Sequence, residues 1–255
     1  MPEISMLEIL DHGAVREIRL ARPPANALNP QLVEGLERAL AAAENAAQAI
    51  VISGLPGMFS AGLDLAELLQ LDRDLLSRFW QSFTRLLKRI ALSPLPTAFA
   101  MTGHAHAEGL VMAVFGDYRI MPRGSFETGM NEVQVGLVVP PPVQLALVRL
   151  IGPHRAERIL VAGEIMHAQR ALDIGLVDEL ADDPEAVVRH AVDWCERLLA
   201  LPRPAMLKTR SMSRSDLQRI FENSSEYGVE RFVETWFSES AQTTLRALVE
   251  RLRKN

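Results

Sequence analysis

The sequence predicts an α/β fold: a strand-and-helix core with substantial parallel pairing, followed by a helical C-terminal part. Two observations carry this. Short apolar strand segments alternate with helical periodicity through the N-terminal half, and strand signals fade from about Pro153 onward. At 255 residues, 48% of them hydrophobic, the chain has the material for a sizeable core.

Taken in order, Met6–Leu10 and Val15–Leu20 read as a hairpin around Asp11-His12-Gly13. Arg22-Pro23-Pro24 ends it, because proline has no amide to give a ladder. Pro30 suits the first turn of a helix whose inward face is Leu32, Val33, Leu36, Leu40 and Ala43. Ala49–Ser53 is a strand, Gly54-Leu55-Pro56-Gly57 a turn, and Asp64 the cap or first-turn carboxylate of the next helix. From Asp72 to Leu92 an amphipathic helix turns Leu75, Phe79, Phe83, Leu86, Leu87 and Ile90 inward, until Pro94 and Pro96 stop it. Ala98–Met101 and Tyr118–Met121 are strands, with a tight apolar helix, Gly109–Phe115, between them. Farther on, Arg155–Ala162, Ala168–Asp173 and the segment opened by Pro184 are helical, with Gly163 and Gly175 as terminators. Two apolar stripes close the chain: Val229, Phe232, Val233, Trp236 and Phe237, then Leu245, Leu248, Val249 and Leu252. They are too rich for a free tail and require something to dock on, within the fold or in an oligomer.

Twenty-seven basic residues against 32 acidic ones give a formal charge of −5. That balance gives no reason to propose a nucleic-acid or anionic-membrane partner. The single cysteine, Cys195, excludes an internal disulfide and, in its apolar helix, reads as a buried thiol. No apolar run approaches the ~18 residues of a membrane span. The first residues are acidic and lack the basic start of a signal peptide, so the expected location is cytoplasmic.

Two segments carry chemistry. In Met58-Phe59-Ser60-Ala61-Gly62-Leu63-Asp64-Leu65, small residues bend the chain between a strand and a helix start and leave the Leu63 amide exposed as a donor. In Thr102-Gly103-His104-Ala105-His106-Ala107-Glu108-Gly109-Leu110-Val111-Met112-Ala113 the same device recurs. Two free amides converging on one carbonyl oxygen form an oxyanion hole.

Together, FSAGLDL and the TGxAxxxG loop some forty residues later, leading into Asp117-Tyr118-Arg119-Ile120, resemble the signature of the crotonase (enoyl-CoA hydratase/isomerase) superfamily. Arg22-Pro23-Pro24-Ala25-Asn26-Ala27-Leu28, Gly152-Pro153-His154-Arg155-Ala156 and the run Ala168–Val177 are similar to further family segments, in the family's order. The resemblance implies a spiral of ββα units over residues 1–195 with the active site, and a helical region over 196–255 that covers the site and builds a homotrimer or a dimer of trimers. It implies an acyl-coenzyme A substrate and no separate cofactor, coenzyme A being part of the substrate. The oxyanion amides would be those of Leu63 and Glu108, and the substrate would meet Ala25, Ala61, Asp64, Leu65, Gly109, Val111 and Val139. Family members usually carry glycine at the Glu108 position. The expectation is that Glu108 turns its side chain outward and its amide alone acts.

Hydratases of the family use two glutamates. The first position is Val111 here, which cannot activate water; the second is Glu132. The run Gly129-Met130-Asn131-Glu132-Val133-Gln134-Val135-Gly136 is similar to the corresponding segment of Δ3,Δ2-enoyl-CoA isomerases, which keep this one glutamate. The resemblance therefore implies isomerisation with Glu132 as the single base. Hydration or thioester hydrolysis, with Glu108 supplying a second carboxylate, and non-catalytic acyl-CoA binding are the alternatives. His104 and His106 flank the loop but lack a third ligand at convincing spacing, so no metal is expected. Pro140-Pro141-Pro142 would shape the acyl-pocket rim, and Arg22, Lys208 and Arg210 are candidates for the coenzyme A phosphates.

Overall fold

The computed structural model describes residues 6–222 and 229–254. Among the described residues, ten strands form two sheets: β1 Leu7–His12, β2 Val15–Leu20, β3 Ala49–Ser53, β4 Gly57–Ser60, β5 Thr97–Ala100, β6 Gly103–His106, β7 Tyr118–Pro122, β8 Glu127–Gly129, β9 Ile165–His167 and β10 Glu179–Ala181. A six-stranded sheet runs β1-β2-β3-β5-β7-β10 and a four-stranded one β4-β6-β8-β9. The β1–β2 hairpin and the β8–β9 pair are antiparallel, and every other pairing is parallel. Successive strand pairs β3/β4, β5/β6 and β7/β8 each give their first member to the large sheet and their second to the small one. Helices return the chain after β4 and β6, which is the ββα spiral.

The helix Pro30–Ala46 starts as expected, with Asn29 accepting from the Leu32 amide and Leu32, Val33, Leu36, Leu40 and Ala43 buried. It packs against Arg73–Leu92. That helix buries Phe79, Phe83, Leu86, Leu87 and Ile90, but Leu75 is 44% exposed, so it does not belong to the inward face. Leu76 takes the buried place in the first turn instead.

Strand β3 is buried on both sides, hence its unbroken apolar run. Ile50 and Ile52 face the main core, whereas Ala49 and Val51 face a thinner layer with Val187, Ala191 and Cys195 of the helix Pro184–Leu199. Cys195 is fully buried there and its thiol is pushed up to about 12, burial being the main cause. The boundary drawn at residue 195 lies inside this helix.

The first C-terminal stripe docks on its own chain: Phe232 stacks flat on Trp80, ring centroids 3.5 Å apart, and Trp236 is fully buried. In the second stripe, Leu245 and Val249 are buried while Leu252 is 63% exposed.

Strand content does not end at Pro153, because β9 and β10 follow it. Each is three residues long, too short to show alternation. For the same reason β6 and β8 read as loop in the sequence. Gly103 opens β6 where a Cβ would meet the Gly57 backbone within 2.2 Å, so only glycine lets the strands approach. The apolar helix runs Glu108–Ala113, starting one residue before the expected Gly109.

Candidate active site

At the end of β4 the chain is stitched to the segment Ala25–Leu28. The Ala61 amide donates to Ala25 O (3.0 Å), Leu28 to Gly62 O (2.8 Å) and Asp64 to Leu28 O (2.9 Å). The Ser60 hydroxyl donates to Asn26 O and accepts from the Gly62 amide. These bonds fix the backbone on both sides of Leu63 and leave its own amide pointing the other way, into a cavity. Gly62 is required at φ +92°, and a Cβ there would stand 2.9 Å from the Ala107 Cβ.

The second donor comes from β6. The Ala107 amide donates to Gly129 O (2.8 Å), and Ala107 itself takes φ +46°, a conformation non-glycine residues rarely hold outside functional turns. This sharp corner starts the helix Glu108–Ala113 and leaves the Glu108 amide, in its first turn, outside the helix's own hydrogen bonding. Gly109 lets the helix start press on β4, since a Cβ would lie 2.9 Å from Ser60 O.

The Glu108 side chain does not turn outward. Glu108 is 4% exposed, and its Oε2 accepts from the Leu63 amide at 3.2 Å. Burial pushes its pKa up to about 8, and the charge of Glu132 pushes the same way; hydrogen bonds from its own amide and that of Leu63 oppose the shift. The outward expectation fails because the corner at Ala107 aims the side chain along the cavity wall, where two amides receive it.

Glu132 opens a short 3-10 turn, Glu132–Val135, after β8. Far from solvated surface, it is 6% exposed, and its Oε2 has no hydrogen-bond partner among the described residues. Burial pushes its pKa up to about 7. Both carboxyls line one cavity of about 480 Å³, together with Ala25, Ala61, Leu63, Asp64 and Leu65. Gly109, Val111 and Val139 are buried outside that lining, and Val135 and Leu137 supply the apolar wall instead. Leu248, Leu252 and Arg253 of the C-terminal helix close the cavity from the other side. Sequence reasoning missed Arg253, which joins Arg22 as a cation in the lining. Its only signal was a basic end to an apolar stripe.

Among the proposed phosphate contacts, Arg22 lines the cavity but is held by Asp64 Oδ2 (2.6 Å) and Ala27 O (2.9 Å). Arg210 is bound to Asp117 and Ser93 O away from the cavity, and Lys208 is exposed outside the lining. Asp64 is the cap expected, accepting from the Glu67 amide.

His104 and His106 do gain a neighbour: across the β6–β8 ladder, Glu127 brings a carboxylate within 4.8 Å of both rings' ligand atoms. The His104 Nδ1 already accepts from the Glu127 amide, so in the neutral ring the proton sits on Nε2. That arrangement holds the ring as a hydrogen-bonded strand clamp.

The profile of the enoyl-CoA hydratase/isomerase family matches residues 11–255. The chain belongs to the enoyl-CoA hydratase/isomerase family. Enoyl-CoA delta isomerase 1 of Homo sapiens mitochondria is 31% identical over 251 residues, 96% of this chain and 82% of that one. A Mycobacterium tuberculosis protein named as a probable enoyl-CoA hydratase is 31% identical over 201 residues, 75% of this chain and 74% of that one. The crystal structure of human mitochondrial delta3-delta2-enoyl-CoA isomerase superposes with a TM-score of 0.91 at 28% identity, covering 98% of each chain. In this enoyl-CoA hydratase/isomerase family chain, among the described residues, no helix is long and apolar enough to cross a membrane.

Proposed function

We propose that the protein is a Δ3,Δ2-enoyl-CoA isomerase that works through a dienolate with Glu132 as its single base. The observation that carries this reading is the buried, unpartnered Glu132 Oε2, in the same cavity as the Leu63 and Glu108 amides. A carboxylate oxygen that the fold leaves without a donor is a base waiting for a proton, and burial raises the group's basicity toward neutral pH against the opposing bond from its own amide.

In this mechanism the thioester oxygen lies between the two amides, which stabilise negative charge as it develops. Glu132 takes a proton from C2 of a 3-enoyl-CoA. The C–H electron pair forms a C1–C2 double bond while the carbonyl π pair moves onto the thioester oxygen, and the retained C3–C4 double bond completes the dienolate. Glu132 then returns the proton at C4: the charge returns from oxygen, the C1–C2 pair shifts to C2–C3 and the C3–C4 pair takes the proton, leaving the 2,3-double bond in conjugation with the thioester. One carboxyl leaves and ends in the same state, so the mechanism calls for no cofactor and no metal. Valine at 111, where a hydratase would hold a glutamate, supports isomerisation over water addition.

A second reading is supported by one feature, the inward Glu108 carboxyl, which could serve as the second group of a hydratase or thioesterase. The same proposal includes a cytoplasmic trimer, or a dimer of trimers. The exposed apolar side chains of Val133 and Val138, in the segment that follows Glu132, support an oligomer contact there.

The test is incubation with a 3-enoyl-CoA in D2O, following conjugation by absorbance and deuterium by mass spectrometry, for wild type and Glu132→Gln. Conjugated product with a loss of about 10² or more in the variant is the expected result. Conversion of crotonyl-CoA to 3-hydroxyacyl-CoA by the wild type, without isomerisation, would establish the second reading instead.

A further inference from the structure

We propose that the Glu108 carboxyl is a built-in occupant of the acyl-oxygen site, which a thioester carbonyl must displace in order to bind. The inference rests on reading the Leu63 and Glu108 amides as the place where that oxygen sits.

Three facts converge on it. The Glu108 Oε2 lies 3.2 Å from the Leu63 nitrogen, at hydrogen-bond distance from the donor a substrate oxygen would use. Its carboxyl also draws on its own amide, the second donor. Gly62 crowds it from behind, because even a single added carbon on Gly62 would come within 3.1 Å of Oε2. A carboxyl oxygen and a thioester oxygen cannot accept from the same two amides at once, so binding is an exchange of one acceptor for another. Glycine at 108 would present the same amides empty.

The energetic consequence follows from hydrogen-bond balance. A ligand oxygen that replaces water at the amides gains a net bond, whereas one that replaces Glu108 gains one and breaks one. The displaced carboxyl gives up the amides that favour its charged form, while burial and the charge of Glu132 favour its neutral form. The exchange acts only on ligands that bring a carbonyl; a ligand held by its nucleotide and alkyl chain alone leaves Glu108 in place.

The experiment compares wild type, Glu108→Gly and Glu108→Gln by calorimetric titration with two probes, hexanoyl-CoA and its thioether counterpart S-hexyl-CoA, which lacks the carbonyl. Hexanoyl-CoA has no double bond to move and S-hexyl-CoA no carbonyl, so neither is an isomerase substrate and the result is independent of whether the isomerase reading holds. Free thiol is assayed after each titration so that any hydrolysis of hexanoyl-CoA is seen. Glu108→Gly should bind hexanoyl-CoA roughly 2- to 13-fold more tightly than wild type, the range of one net hydrogen bond. S-hexyl-CoA should bind both proteins alike. Glu108→Gln keeps an amide oxygen that accepts from Leu63 and should resemble wild type. Equal or weaker binding of hexanoyl-CoA by Glu108→Gly would overturn the proposal, as would equal tightening for both probes, which would mark a gain of space and not release of the oxygen site. Tightening in Glu108→Gln as large as in Glu108→Gly would overturn it too. Should Glu108→Gly fold poorly, Glu108→Ala removes the same carboxyl with the helix start intact and carries the same expectations.

Discussion

Replacing Glu132 by glutamine should cost activity and increase stability, and the two effects have opposite dependence on what the carboxyl does. In the folded chain the group is 6% exposed with one oxygen unpartnered, and burial pushes its pKa from 4.5 to about 7. A raised carboxyl pKa means that the fold favours the neutral form. The stabilisation is complete below the unfolded pKa near 4.5 and is lost as pH rises through about 7. At ~1.4 kcal/mol per pKa unit the ionised group costs roughly 3 kcal/mol at pH 9. For a chain of this size that corresponds to about 6–12 °C in Tm. Glu132→Gln is neutral throughout, so its Tm should match wild type at pH 4.5 and exceed it by about that amount at pH 9, in scanning calorimetry at constant ionic strength. The same variant should lose about 10²-fold or more in 3-enoyl-CoA turnover. A Tm difference that does not change with pH, or a wild type no less stable than the variant at pH 9, would refute the assignment of Glu132 as a buried, unpaired base.

Two other outcomes follow from the site and the core. Gly62→Ala puts a methyl 2.9 Å from the Ala107 Cβ at φ +92°, so the Leu63 amide must shift, and kcat/KM should fall about 10²-fold or more, as for loss of an oxyanion donor; activity within threefold of wild type would show that the amide does not serve the reaction. Cys195, fully buried with its thiol pushed up to about 12, should resist a disulfide-exchange reagent at pH 8 until the protein is unfolded, and fast labelling of the native protein would contradict the packing of the helix Pro184–Leu199 on the large sheet.

By itself the sequence determined the elements whose periodicity runs long enough to be read. The helix Pro30–Ala46 has its cap, its proline and all five inward residues written in order, and the β3 run is apolar because both faces are covered. It also determined which amides the backbone leaves unused, since Ala61-Gly62 and Ala107-Glu108-Gly109 are local devices of strand, corner and helix start. Tertiary structure decided what those devices meet. Strands β6, β8, β9 and β10, of three or four residues, exist through pairing with partners far along the chain, and no local period announces them. Val135 and Leu137, not Val111 and Val139, line the cavity because the turn after β8 swings them into it. The direction of the Glu108 side chain was decided the same way. Sequence gives its chemistry, but whether a carboxyl faces water or a pair of amides depends on walls built by Gly62, Ala107 and the distant Glu132. Burial is a property of the assembled fold, and burial is what turns these two glutamates from surface charges into groups that titrate near neutral pH.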